Sequence, residues 1–144
     1  MTLVMVYQAV YGSTETHPFS PAELVRLLQT ARANNARRGV TGMLLYHDHS
    51  FMQILEGDRE AVAALVARIA ADTRHRGFTM FHQGEVAERE FGEWSMAFRA
   101  PSLDDWAALE GFREIGTLSP ELFPPGKARA FLKSFRALTR IDQA

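Results

Sequence analysis

The sequence predicts an α+β domain with a ferredoxin-like core. This is a β-α-β-β-α-β-β sheet with two helices on one face and a C-terminal helical cap on or beside the other. The first observation behind this is the order of the segments: short apolar runs alternate with segments of helical periodicity in just that sequence. The second is that the strands are apolar on both faces, so both faces of the sheet need cover. The third is an amphipathic segment left over at the C-terminal end, which can supply the second cover.

Along residues 3–11, Leu3, Met5, Tyr7, Ala9 and Tyr11 alternate with Val4, Val6, Gln8 and Val10. Gly12-Ser13-Thr14 is read as the end of that strand. Ser20-Pro21-Ala22-Glu23 starts a helix: Ser20 caps, Pro21 takes the first helical position and Glu23 completes a capping box. Leu24, Leu27, Leu28 and Ala31 form its apolar stripe, and the end is expected near Asn34-Asn35, before Gly39. Val40 to Tyr46 and Ser50 to Leu55 read as a hairpin turning at His47-Asp48-His49. Gly57-Asp58 opens a second helix with Val62, Leu65, Val66 and Ile69 buried, closed by Arg74-His75-Arg76-Gly77. Phe78 to Val86 is the fourth strand and Trp94 to Phe98 the fifth.

Pro101 breaks the fifth strand, and Asp104 to Phe112 reads as a short helix. The loop with Pro124-Pro125-Gly126 leads to a last helix at roughly 127–141. Ala128, Phe131, Leu132, Phe135 and Leu138 make its apolar side; Arg129, Lys133, Arg136 and Arg140 make a basic side, read as solvated.

The chain has 144 residues, 47% hydrophobic and 23% charged, which suits one domain with a packed core. A formal net charge of −1 gives no electrostatic case for nucleic acid or an anionic membrane. The absence of cysteine excludes disulfide scaffolds, thiolate metal sites and cysteine nucleophiles. The N-terminus lacks the pattern of a signal peptide, and no apolar run is long enough to span a bilayer. A cytoplasmic protein is the expectation.

Gln53 stands out, an amide at the centre of the apolar strand Ser50-Phe51-Met52-Gln53-Ile54-Leu55. If buried, its donors and lone pairs need partners. In a ferredoxin-like sheet the first and third strands are neighbours, so Tyr11 and Gln53 can meet under the helices. Taken alone, Tyr11 reads as a core-edge tyrosine with a wet hydroxyl. Asn35 reads as a helix C-cap, although it continues the buried stripe. A Tyr–Gln–Asn cluster among leucines and isoleucines is costly unpaired. A flat heterocycle with carbonyl and imide groups would satisfy it. His47 and His49 lack a third ligand and read as a solvated turn, so no metal is expected. Arg68 and Asp72 form an i,i+4 pair. No phosphate-cradling glycine loop, nucleophile elbow or His-Glu-x-x-His motif is present.

Five segments together resemble the BLUF family of blue-light sensors using flavin. They are Asn34-Asn35, Gly39-Val40-Thr41-Gly42-Met43-Leu44-Leu45-Tyr46, Phe51-Met52-Gln53-Ile54-Leu55-Glu56-Gly57, Asp72-Thr73-Arg74-His75 and Arg89-Glu90-Phe91-Gly92-Glu93-Trp94-Ser95-Met96. The resemblance covers roughly residues 1–100 and implies a flavin-binding domain there, with 101–144 as the helical cap and output segment of short, stand-alone members. It implies a photoreceptor and not an enzyme, with a flavin cofactor, FAD ahead of FMN. Tyr11 matches the tyrosine that gives an electron and a proton to the excited flavin, and Gln53 the glutamine between them. Asn35, with Asn34 beside it, matches the asparagine on the flavin C4=O and N3 side. Leu27 and Ile69 match the residues sandwiching the ring. Arg68, Asp72, Arg74 and His75 match polar contacts to the ring's outer edge or the ribityl-phosphate arm. Trp94 and Met96 match a pair on the fifth strand that exchanges places near the glutamine. A downstream protein partner and a homo-oligomer, dimer or higher, are implied; nucleic acid and membrane are not.

Two positions depart from the family pattern. Ala31 replaces a serine of some members near the asparagine. Gly12 replaces a common serine after the tyrosine, where it is expected to loosen a turn. The alternatives are a light-insensitive ferredoxin-like interaction module and a small acylphosphatase-like hydrolase; the latter wants an Arg and an Asn in an anion-binding loop, and Gly12-Ser13-Thr14-Glu15 supplies neither.

Overall fold

The computed structural model describes residues 5–92, 95–100, 104, 108–109, 111–112 and 114–138. Its elements are β1 (Val6–Glu15), α1 (Pro21–Arg38), β2 (Thr41–His47), β3 (Ser50–Gly57), α2 (Arg59–Ala70), β4 (His75–Val86), β5 (Ala97–Arg99), a 3-10 turn (Pro125–Lys127) and α3 (Ala128–Leu138). The sheet order is β4-β1-β3-β2-β5. The first four strands pair antiparallel in the ferredoxin-like order, and β5 joins the β2 edge in parallel.

Local chemistry sets the ends of α1. The Ser20 side chain accepts from the Glu23 N–H, Glu23 accepts from the Ser20 N–H, and Pro21 follows the cap. Gly39, at φ 68, closes the helix in the left-handed region that favours glycine. Asn35 is therefore inside α1 and does not cap it. The β2–β3 hairpin turns through Asp48 and His49, both at positive φ, as a two-residue turn matching the strand twist requires.

Strand limits differ from the sequence expectation in several places; the fifth strand, expected at Trp94 to Phe98, is Ala97–Arg99, so Met96 precedes it and is not on it. β1 runs on through Gly12-Ser13-Thr14 to Glu15, with irregularities against β4 between Val10 and Tyr11 and between Gly12 and Thr14. Gly12 is thus a strand residue and loosens no turn. The reason for glycine is packing: a Cβ there would lie 2.7 Å from Phe81 Cε2. β4 begins at His75, so His75-Arg76-Gly77 belongs to the strand and does not close α2. Trp94, Pro101, Arg140 and most of the expected helix at 104–112 lie outside the described residues.

Two apolar cores sandwich the sheet. On the helix side, Ala9, Leu44, Phe51, Leu55 and Met96 pack with Leu28 of α1 and Val62 of α2. On the outer side, Val10, Met43, Leu45, Met52 and Ile54 meet Leu118, Phe123, Ala128, Phe131 and Leu132 of the tail. The tail covers the outer face as the sequence requires. No helix among the described residues is long and apolar enough to cross a membrane.

Candidate functional site

A cavity of about 210 Å³ lies between α1, α2 and the helix-side face of the sheet. Leu27 from α1 and Leu65 and Ile69 from α2 give it apolar walls, because the buried stripes of both helices converge on it. Tyr11, Gln53, Asn34 and Asn35 bring polarity, and Arg68, Asp72, Arg74 and His75 also line it.

Tyr11 and Gln53 are direct partners in the β1–β3 register. The Tyr11 hydroxyl donates to Gln53 Oε1 at 2.6 Å, and both residues are buried. Gln53 Nε2 donates to the Met96 sulfur at 3.2 Å, leaving its second N–H without a partner among the described residues. Burial holds the Tyr11 phenol well above its ordinary value, and the nearby Asp72 charge adds to that. The hydroxyl thus keeps its proton in the resting protein.

α1 grips the segment leading into β5. Asn35 Nδ2 donates to the Ser95 carbonyl at 3.0 Å, and Arg32 Nε to the Met96 carbonyl at 2.9 Å. Met96 is buried beside Gln53, while Trp94 is not among the described residues, so the expected exchange pair is represented by Met96 alone.

The four polar residues on the α2 side are arranged differently from a simple row of free contacts. Asp72 lies beyond α2 and is held by Arg74, whose Nε and backbone N–H donate to Asp72 Oδ1 at 3.0 and 2.9 Å. The hydrogen bonds from Arg74 bring the Asp72 carboxyl below its usual range despite burial. The expected Arg68–Asp72 helical pair does not form, because α2 ends at Ala70 and Asp72 turns to Arg74. His75 also spends both ring nitrogens within the chain, on the Ser13 hydroxyl at 2.7 Å and the Ile69 carbonyl.

Sequence reasoning missed Phe19, Thr30, Leu44, Phe51 and Leu65, which line the same cavity. Leu65 and Phe51 had a signal: Leu65 is one turn before Ile69, and Phe51 shares the strand face of Gln53. Phe19 had none, since it lies in a loop. That loop is anchored by buried Glu15, which accepts from the Phe19 N–H at 3.0 Å and the Tyr46 hydroxyl at 2.7 Å, and pairs with His49. Burial works against ionising Glu15, but the hydrogen bonds from Tyr46, His49 and Phe19 outweigh it and lower its pKa. His49 is thus part of an ion pair and not merely a solvated turn residue. No cluster of His, Asp and Glu among the described residues could hold a metal ion.

A family model described as sensors of blue-light using FAD matches residues 6–97. This chain belongs to the BLUF family. The BLUF domain is a flavin-binding blue-light sensor that signals to partners, and is itself a photosensory unit and not a catalytic one. The chain is 38% identical over 87 residues to the photoactivated adenylate cyclase subunit beta of Euglena gracilis, spanning 60% of this chain and 10% of that protein. The chain thus spans about a tenth of the length of that curated relative. Among solved structures, the dark state of the BLUF protein BlrB superposes with TM-score 0.76 at 28% identity, covering 95% of this chain and 98% of that one. The photo-activated state of BlsA gives TM-score 0.77 at 27% identity, covering 91% and 94%.

The cavity suits the family's flavin. Apolar walls match the faces of a flat heteroaromatic ring, and the unspent Gln53 N–H and the asparagine amides match polar atoms on its rim.

Proposed function

We propose that light drives a rearrangement of the Tyr11–Gln53 hydrogen bond, and that segment 95–99 carries the change to the C-terminal helices. The observation behind this reading is the 2.6 Å bond between two buried side chains, one of which keeps a spare donor at the cavity. When bound, the flavin supplies blue-light absorption and an excited-state acceptor for one electron. Tyr11 is the donor, and Gln53 Oε1 is the hydrogen-bonded acceptor for its phenolic proton. Leu27 and Ile69, joined by Leu65, hold the ring faces. Asn34, Asn35 and Gln53 address its polar rim, and Arg68, Asp72, Arg74 and His75 lie toward the arm. In that arrangement Arg74 and Asp72 act as one ion pair.

A rotated Gln53 turns its N–H groups away from the Met96 sulfur, and a tautomerised one keeps a single N–H on an imine nitrogen there. The bond at 3.2 Å then changes, and Met96 belongs to the segment that α1 grips through Asn35 and Arg32. That is a small switch acting on a packed element, the kind of event that biases a two-state structure. Residues 1–100 form the sensor and 101–144 the output segment, which addresses a separate protein partner in the cytoplasm, with the chain assembling as a dimer or higher oligomer.

Absorption spectroscopy tests the reading. The purified protein is expected to be yellow and to undergo a reversible red shift under blue light. Gln53→Leu and Tyr11→Phe are expected to keep flavin and lose the shift. Colourless protein that cannot be reconstituted, or a normal photocycle in either variant, overturns it.

A further inference from the structure

Tyr11 has a second aromatic neighbour that does not line the cavity. β4 passes β1 with irregular register around Tyr11, which pairs with Met80. Irregularities of this kind re-aim side chains. Phe78, two residues before Met80 and on the same strand face, stacks on Tyr11 with ring centroids 4.7 Å apart and planes 22° apart. His75 stands edge-on to both rings, at 6.4 Å from Tyr11 and 6.2 Å from Phe78. His75 is itself fixed. The Ile69 carbonyl only accepts, so Nε2 carries hydrogen, and in the neutral ring Nδ1 accepts from the Ser13 hydroxyl.

Resting on the photochemical reading above, we propose that Phe78 is a positioning residue for Tyr11, fixing its ring plane and stabilising the ring when it becomes electron-poor. In the light step one electron leaves Tyr11 for the excited flavin, and the phenolic proton leaves for Gln53 Oε1. Both return in the recovery, so nothing is oxidised overall. After the electron has left and before the proton follows, the tyrosine ring carries positive charge at a buried position. The negative face of the Phe78 ring, stacked 4.7 Å from Tyr11, supplies compensation in direct contact, beside the nearby charge of Asp72. Because Phe78 is absent from the cavity wall, it acts through Tyr11 and leaves flavin binding alone.

The test compares flavin-loaded wild type, Phe78→Leu, and protein with pentafluorophenylalanine at position 78. The fluorinated ring keeps the shape and reverses the sign of the ring's face. Flavin content and the dark absorption maximum are expected to stay as in the wild type. The excited-state lifetime is expected to lengthen, and the yield of the red shift to fall, by about two- to tenfold in both variants, as the worth of one aromatic pair implies. Wild-type lifetime and yield in the fluorinated protein overturn the proposal, even if Phe78→Leu fails to fold. Tyr11→Phe keeps the two readings apart. If it retains the photocycle, the photochemical reading fails. If it abolishes the photocycle while both position-78 variants match wild type, only the role of Phe78 fails.

Discussion

Two buried polar pairs lie on opposite faces of the same two strands. On the helix side Tyr11 faces Gln53; on the outer side Gln8 faces Glu56. The chain supplies partners for the Glu56 carboxylate and for the Gln8 Nε2 of the outer pair. Glu56 accepts from Gln8 Nε2 at 2.6 Å and from the N–H groups of Glu90 and Phe91. Glu90 accepts from Gln8 at 2.7 Å and is paired with Arg129 at 3.0 Å and Lys133 at 2.7 Å, both from α3. Gln8 Oε1 lacks a partner among the described residues, but Gln8 does not line the cavity. The inner pair keeps an unspent N–H and faces a cavity with apolar walls. Buried polarity by itself therefore does not mark a site. A site is marked where the chain stops short of completing its own hydrogen bonds and leaves room for something else to do so.

On the proposed reading the outer cluster is structural and the inner one functional, and stability measurements can break that contrast. Glu56→Ala strands one Gln8 N–H and the backbone N–H groups of Glu90 and Phe91, so chemical denaturation should read a loss of about 3–5 kcal/mol. Gly12→Ala pushes a methyl into Phe81 on the outer face and should cost about 1–3 kcal/mol, with little change in flavin content. Gln53→Leu removes the buried bond from Tyr11 and the weak one to the Met96 sulfur, and should cost only about 1–2 kcal/mol while abolishing the red shift. If Gln53→Leu destabilises as much as Glu56→Ala, the distinction falls.

The smallest effect concerns acid. Burial opposes ionisation of Glu90, but hydrogen bonds from Lys133, Gln8 and Arg129 outweigh it and bring its pKa from 4.5 to about 2. A depressed carboxyl contributes stability above its unfolded pKa and loses it as pH falls through the folded one. The docking of α3 should thus weaken between pH 4.5 and about 2. Arg129 is half-exposed and Lys133 exposed, so solvent screening holds the contribution of each pair to about 1 kcal/mol or less. Comparing Glu90→Gln with wild type by helix circular dichroism across that range checks it: the variant should lack this component.

Elements with local causes were legible. The capping box at Ser20 and Glu23, the helix stripes and the two-residue hairpin are each written within a few neighbouring residues. Gln53 was legible as a polar residue needing a partner, and the ferredoxin-like order named Tyr11 as reachable. In sequence Asn35 reads as a cap because its acceptor, the Ser95 carbonyl, is remote. In sequence Gly12 looks like the end of β1, whereas it is the gap that admits Phe81. His49 looked solvated because Glu15, its partner, lay beyond the supposed strand end. The basic side of α3 looked solvated for the same reason, since Glu90 is supplied by another element.

The sequence by itself determined the elements, their order, the two-sided sheet and the polar residues that needed company, because periodicity, capping and turn chemistry act over a few residues. Only the tertiary structure decided which of those polar residues the chain satisfies and which it leaves open. Hydrogen-bond completion depends on groups far apart in the chain arriving within about 3 Å of each other, and no local pattern encodes that.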